Sequence, residues 1–541
     1  MRSVSAQTKA LVDLLNSPIG VWEKISGGRN DRELLTQISD AGEPAAIVYI
    51  TPFVLSEKRE LAGAAVAAVE RLFAAVPPED LARLDVTFRM RSPYVGRYSM
   101  KWHSLKPADV KKLEGLGSDS VALLGLASFH SSGYVREEAI KRLNQRSGGA
   151  ELPLLLIRLN DWVLHVRAAA QRAVMSRLSP YQASRFVTNL ALLPRLKQTE
   201  RSDHRPVVEA IENLLKNTEC REALLQGLKS SSRLIRRSSF KLAVDATEAD
   251  TMSILERALD DADTIIRLWA ARRIAAELDG QNLNKLLALM RGDHFMPVRR
   301  EALRAVLGRV PDQALVELRL ALLDPHVSMR EEGRYELRKR EEIDFAAFYR
   351  QALSSAGESE LTTVISGVGE SGAARDDSLL IPYTLHKSGK VRKAAIKAMS
   401  RLNGGAHLAV FINALQDEVP GVSREGQRAL ARKVTLVGGE SLWEVFNATR
   451  YPFVRRNALY LLTLLGKWDS ICFLIKATGD SDEEIASNVR LYIDRWLRQF
   501  NRRFTAPTGE QLTRLRQALE ENAYLFDGNL LEQLWFSMKG F

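Results

Sequence analysis

The chain has 541 residues, with 77 Lys and Arg against 66 Asp and Glu for a formal charge of +11, and 45% of it is apolar. That is globular composition; it excludes collagen-like, low-complexity and largely disordered classes, and the length allows several domains or one long repeat array. Two cysteines, Cys220 and Cys472, lie far apart without a Cys or His at metal-ligand spacing, so neither a disulfide framework nor a zinc site is expected, and a reducing cytoplasm is.

In chain order, residues 33–76 predict an irregular first helix pair, with SEKRELAGAAVAAVERLF as its second helix. The apolar stretches 47–55 and 152–159 carry Pro52 and Arg158 and fall short of the roughly 20 residues that cross a bilayer, and the start, MRSVSAQTKALVDLL, has no signal-peptide pattern, so no membrane contact is expected. Residues 77–124 interrupt the pattern with a basic and aromatic insertion, DVTFRMRSPYVGRYSMKWHSLK.

From there a segment recurs: GYVREEAIKRL at Arg136, LHVRAAAQRAV at Arg167, then copies centred on Arg236, Arg267, Arg299, Arg330, Arg392, Arg424, Arg455 and Arg490. The arginines are spaced by 31, 69, 31, 32, 31, 62, 32, 31 and 35 residues. The two long gaps each conceal a weak copy, at Arg205 and near Leu361, which makes about twelve units. In most units an apolar residue precedes the arginine, a small one follows at +3 and an apolar one at +7, as in Val298, Ala302 and Val306. Steps of four return to one face of a helix, so this is a buried stripe with a small residue where a neighbour approaches. Asp161, Asp261, Asp293 and Asp324, six residues ahead, read as N-caps. Gly148, Pro180, Gly280, Pro311, Gly404 and Gly438 read as stops, leaving room for one more helix per unit.

A helix of this D…[VI]-R-x-x-A form, at a period near 31, resembles the HEAT family in its short-repeat, phycobilin-lyase-like form, over residues 125–500. The resemblance implies an all-α fold, an α-solenoid of stacked αα-hairpins whose second helices line a concave face, and it implies that the recurrent Asp and Arg form a structural ladder between repeats. It implies little about activity, since that family is mostly binding scaffolds. The expected organisation is an irregular helical region over 1–124, the array over 125–500, and capping helices over 501–541, the last opened by a capping box of Thr508 and Gln511.

The candidate binding residues sit five positions after the arginine: Lys141, Arg172, Lys241, Arg272, Arg304, Lys397 and Arg495 are basic, whereas Tyr335, Ala429 and Tyr460 are not. Arg237, Arg300, Lys393 and Arg456 add charge at +1, one turn away on the same face. Stacked helices lie about 8–10 Å apart, within a Debye length, so these cations act as one field. The first expectation is a non-enzymatic scaffold or adaptor that binds the acidic surface or helix of a protein partner. The alternative is a DNA-binding solenoid whose basic stripe contacts phosphates; an ordinary solvated face, paired with Glu137, Glu138 and Glu301, is the bland reading.

In the insertion, Arg89, Arg91, Arg97 and Lys101 alternate with Phe88, Tyr94, Tyr98 and Trp102, the mixture that single-strand binders use, or else aromatics that pack on adjoining helices. No nucleotide-binding, zinc-protease or serine-hydrolase motif is present, and no cofactor or metal is expected. Gly367, Gly369 and Gly372 spell G-x-G-x-x-G in a helical register, so they read as a helix end; His130, His165, His204, His294, His326 and His386 precede the arginines and read as solvated turn residues. A minor alternative is a HEAT-like alkylpurine DNA glycosylase or a lyase, to which Trp162, Trp269 and Asp263 could be recruited.

Overall fold

A computed structural model describes residues 4–17, 30–91, 97–117, 121–199, 202–246, 250–502 and 505–539. Among these residues there are helices and no strand, and the chain divides into two compact units, Met1–Val298 and Arg299–Phe541. Each unit is an all-α stack of helix pairs, the architecture of a solenoid. No helix among the described residues is long and apolar enough to cross a membrane.

The first unit opens with helices that do not repeat, among them Asp31–Asp40, Arg59–Ala74, Pro78–Arg91 and Pro107–Glu114. Regular pairs follow: Val121–Ala127 with Gly133–Leu143, Leu152–Arg158 with Leu164–Met175, then, after an irregular stretch, Arg221–Gly227 with Arg233–Ala246 and Thr251–Leu259 with Thr264–Glu277. In the second unit the pairs include Leu408–Leu415 with Pro420–Ala431, and Gly439–Ala448 with Pro452–Thr463. There the second helices stack on one another from Gly389–Asn403 through Pro420–Ala431 and Pro452–Thr463 to Glu483–Gln499.

One turn recurs before every regular second helix. Its first residue is His130, Asp161, Ser230, Asp261, Asp293, Asp324, His386, Asp417, Thr449 or Asp480, and the side chain accepts from the backbone N–H two residues on, at 2.6–3.2 Å. The helix starts three residues after it, and the ladder position is the helix's fourth residue. The aspartates are therefore turn formers; the N-caps are the residues two further on, such as Val163, Asp263 and His326. His130 and His386 are members of the same turn, and His130 is buried, its Nε2 bonded to the Trp102 carbonyl at 3.0 Å.

The ladder is a set of bidentate ion pairs from one unit to the next turn: Arg136 to Asp161, Arg236 to Asp261, Arg267 to Asp293, Arg299 to Asp324, and Arg392 to Asp417, all at 2.7–3.1 Å, with Arg455 to Asp480 in the same place. Most of these arginines also donate to the carbonyl that opens their own turn, as Arg392 does to His386 at 2.8 Å. Where the repeat is irregular, Arg330 turns to Glu370.

This turn resets the register at two places. In the Pro420–Ala431 helix the ladder position is Ser423, not Arg424, and Ser423 accepts from Asn457 instead of pairing with an acid. In Glu483–Gln499 it is Ala486, not Arg490, which turns the anomalous spacing of 35 into 31. With these corrections the position three residues after the ladder is buried in every regular unit, and in the Pro420 helix it is Gly426. The triplet Gly367, Gly369 and Gly372 closes the helix Leu361–Ser371; a Cβ on Gly367 would stand 2.1 Å from the Tyr349 ring.

Two ladder carboxylates, Asp161 and Asp293, titrate low. Burial pushes the Asp161 and Asp293 carboxyls up, but the hydrogen bonds and charges of their arginines more than offset it. Because the folded-state values are depressed, their stabilisation is complete above the unfolded carboxylate value near pH 4 and is lost as pH falls through the lower folded values. The urea midpoint is thus expected to hold from pH 7 to about 5 and to drop below about pH 4; a midpoint that rises on acidification would contradict the ladder.

Candidate partner-binding surfaces

The first unit buries an ionic cluster where the Pro78–Arg91 helix meets the pair Leu152–Arg158 and Leu164–Met175. Arg158 is 2% exposed, bonds Asp161 at 2.9 Å and also Asp85, and lies 5.5 Å over the Phe129 ring. Arg89 closes the cluster with a bidentate pair to Asp85 at 2.8 and 3.0 Å. A buried arginine persists only with such full pairing. Over the cluster opens a cavity of about 410 Å³, walled by Leu156, Leu192 and Leu196 and edged by Val86, Met90 and Trp162. Met90 is 71% and Trp162 69% exposed, unusual for side chains of that size. Arg195, exposed and without an ion pair among the described residues, joins the lining.

The insertion is largely structural. Trp102 is 1% exposed and packs edge-on against Phe88, itself 1% exposed, so these rings offer no face for a base to stack on. Arg97 donates to the Leu15 carbonyl at 2.7 Å and to Asp31 at 2.6 Å, and sits over Phe53. Tyr98, half-buried, has φ of 67° and accepts from the Ser56 hydroxyl; Lys101 pairs with Glu57 at 2.7 Å. Tyr94 and the side chain of Arg91 lie outside the described residues. Among the described residues of the insertion, Phe88 and Trp102 turn in, and Arg97 ties it to neighbouring segments through the Leu15 carbonyl and Asp31.

Along the second helices the predicted cations divide. Lys141 pairs with Glu137 at 2.8 Å, Arg237 with Asp263 at 2.7 Å, Arg304 with Glu332 at 3.0 Å and Arg456 with Glu484 at 2.8 Å. Arg172, Lys241, Lys393, Lys397 and Arg495 are exposed and have no ion pair among the described residues; Arg272 is exposed and Arg300 half-buried. In the corrected register Arg495 stands at +9, and Leu491, 64% exposed, at +5. The same correction puts Arg424 at +1 and Arg428 at +5 of the Pro420 helix, cations that a register set on Arg424 conceals. Gly426 at +3 and the match of Pro420 and Val422 to Pro452 and Val454 were the signal that could have found them.

Asp263 is held by Arg237 and caps its own helix through Ile265 N–H, so it is not available as a base beside Trp269. The Cys472 thiol is buried and its pKa is pushed up to about 11, which keeps it protonated and inert near neutrality. Among the described residues no group of His, Cys, Asp or Glu is placed to hold a metal ion.

No family model matches the chain, and no curated protein is significantly similar to it. Some solved structures are similar to it over much of its length, at low identity. One is Kap95p, from the structure of its binding to RanGDP: 11% identity, 86% of this chain and 66% of that one covered, TM-score 0.35. Others are the S. pombe condensin Cnd3–Cnd2 subcomplex, at 13% identity, 98% and 82% coverage and TM-score 0.32, and importin beta, at 13% identity, 98% and 83% coverage and TM-score 0.29. Similarity at this level carries no argument about what this chain binds.

Proposed function

We propose that the protein is a non-enzymatic repeat scaffold that holds a protein partner by its first unit, seating an apolar side chain of the partner in the cavity edged by Met90 and Trp162 and meeting acidic flanks with Arg195. The observation that carries this reading is the cavity itself: apolar walls, two large exposed apolar side chains at the mouth, and a floor whose charges are already paired. Interfaces concentrate their energy in such anchors, with aromatic residues prominent, and acidic flanks match a lining whose unpaired charge is positive.

The test is affinity capture on the full chain, from extract treated or not with nuclease, with wild type beside Trp162→Ala and Met90→Ala. Both side chains are exposed, so the variants are expected to melt like wild type. Expected is a protein retained after nuclease treatment and bound at least about tenfold more weakly by each variant, the loss of one anchor. Capture that disappears with nuclease, or that both variants leave unchanged, overturns the reading.

A further inference from the structure

In the corrected register two adjacent second helices of the second unit carry a cation at each of +1, +5 and +9: Lys393, Lys397 and Arg401 on Gly389–Asn403, and Arg424, Arg428 and Arg432 on Pro420–Ala431 with the residue after it. Steps of four place each set on one ridge of its helix, with successive side chains about 6 Å apart, and the two helices pack together. The result is two neighbouring rows of three positive charges, to which Lys433 is added at the end of the second.

Few acids answer these cations, and unlike the single open cations elsewhere they gather on two packed helices around one cleft. Lys393, Lys397, Arg424, Arg432 and Lys433 make no ion pair among the described residues. Arg428 meets Glu425 at 3.1 Å, and Arg401 comes no nearer than 3.8 Å to Glu370, which is already held by Arg330 and Arg334. Nor do they serve the ladder, which in the repeat of the Pro420 helix lacks its arginine, replaced by Ser423, and meets Thr449 in place of the aspartate of the next turn. Uncompensated like charges one turn apart destabilise a helix, so the fold alone gives no reason for the array.

The array opens on a cleft of about 1020 Å³, which Arg401, Arg424, Arg428, Arg432 and Lys433 line together. Apart from Tyr460, 41% exposed, the lining is small or polar, as Ser400, Gly404 and Gln427 are. A folded protein partner needs desolvated apolar anchors, which this cleft lacks. A chain of phosphates needs only ordered cations, best arginines with their two-pronged donors, and an aromatic edge on which a base can stack. We infer that this cleft binds the phosphodiester backbone of a single-stranded nucleic acid, without reading its sequence. The inference concerns a different unit from the partner cavity and stands independently of it.

The test is fluorescence anisotropy of the full chain with labelled 20-nucleotide oligo(dT) and oligo(U), from 50 to 300 mM salt, with poly-glutamate as competitor. Both oligonucleotides are expected to bind, DNA and RNA within a few-fold of each other, with log Kd rising about 0.7 per phosphate contact per log unit of salt. Arg424→Glu with Arg428→Glu is expected to weaken binding at least tenfold and to flatten the slope by about 1.4; Arg432→Glu with Lys433→Glu, outside the packed part of the helix, serves as the second pair should the first fail to fold. Arg172→Glu with Lys241→Glu in the first unit is expected to change affinity less than threefold. No binding at 50 mM salt, indifference to both second-unit pairs, or displacement of the oligonucleotide by poly-glutamate at equal charge would overturn the inference, the last in favour of an acidic protein.

Discussion

Asp161→Ala is expected to destabilise the first unit by about 3–5 kcal/mol, the range found when one partner of a buried ion pair is removed. Asp161 is 1% exposed and accepts from both Arg136 and Arg158, themselves 3% and 2% exposed, as well as from the Val163 N–H. Removing it leaves the Arg136 guanidinium buried without its counter-charge and Arg158 with Asp85 alone, and unmakes the turn ahead of the Leu164–Met175 helix. Asp161→Asn keeps a side-chain oxygen for the turn and is expected to lose less. Glu137→Ala, which removes an exposed pair with Lys141, is expected to shift stability by no more than about 0.5 kcal/mol. The measurement is the urea midpoint of the full chain, followed by circular dichroism; a loss below about 1 kcal/mol for Asp161→Ala would mean that the cluster does not hold the unit together.

Gly426→Val is expected to cost about 3 kcal/mol in the second unit, the upper end of ordinary overpacking, because the contact is with backbone. A Cβ at this position would stand 2.5 Å from the Leu415 nitrogen, 2.8 Å from the Ala414 carbonyl carbon and 3.0 Å from the Leu415 Cα, none of which can rotate away. The glycine is what lets Pro420–Ala431 lie against Leu408–Leu415. Gly421, five residues earlier, is the internal control: the nearest atom to its Cβ is the Lys393 Cδ at 3.9 Å, so Gly421→Ala is expected to be neutral or to stabilise by up to about 1 kcal/mol. Equal effects at the two sites would show that helix propensity, not close approach, governs this glycine.

The repeat was legible because its cause is local and periodic. A helix that must bury one stripe and admit a neighbour at one small residue writes both every 31 or so positions, and residues such as Val298, Ala302 and Val306 are found buried where that logic puts them. The conspicuous arginine was a less secure marker than the small residue. Arg424 and Arg490 look like ladder members, but the backbone turn sets the register, and Thr449 can form that turn as well as an aspartate does. A side chain that pairs with charge can be given up, whereas a position touching the next helix cannot tolerate bulk.

Sequence alone determined the helix pairs, their period and the +11 charge, since these follow from patterns a few residues long or from composition, whereas the Asp–Arg ladder was implied by the resemblance and its members were set by the fold. Tertiary structure decided which cations are spent and which stand open. Arg97 and Arg237 resemble Arg424 and Lys397 in the sequence, yet the first two face acids or carbonyls brought in from 26 to 82 residues away in the chain, and the last two face none. The cavity over Asp85 and Arg158 likewise joins residues 73 apart. Whether a charge is neutralised depends on what comes within a few ångströms of it, and that distance is set by how the helices stack.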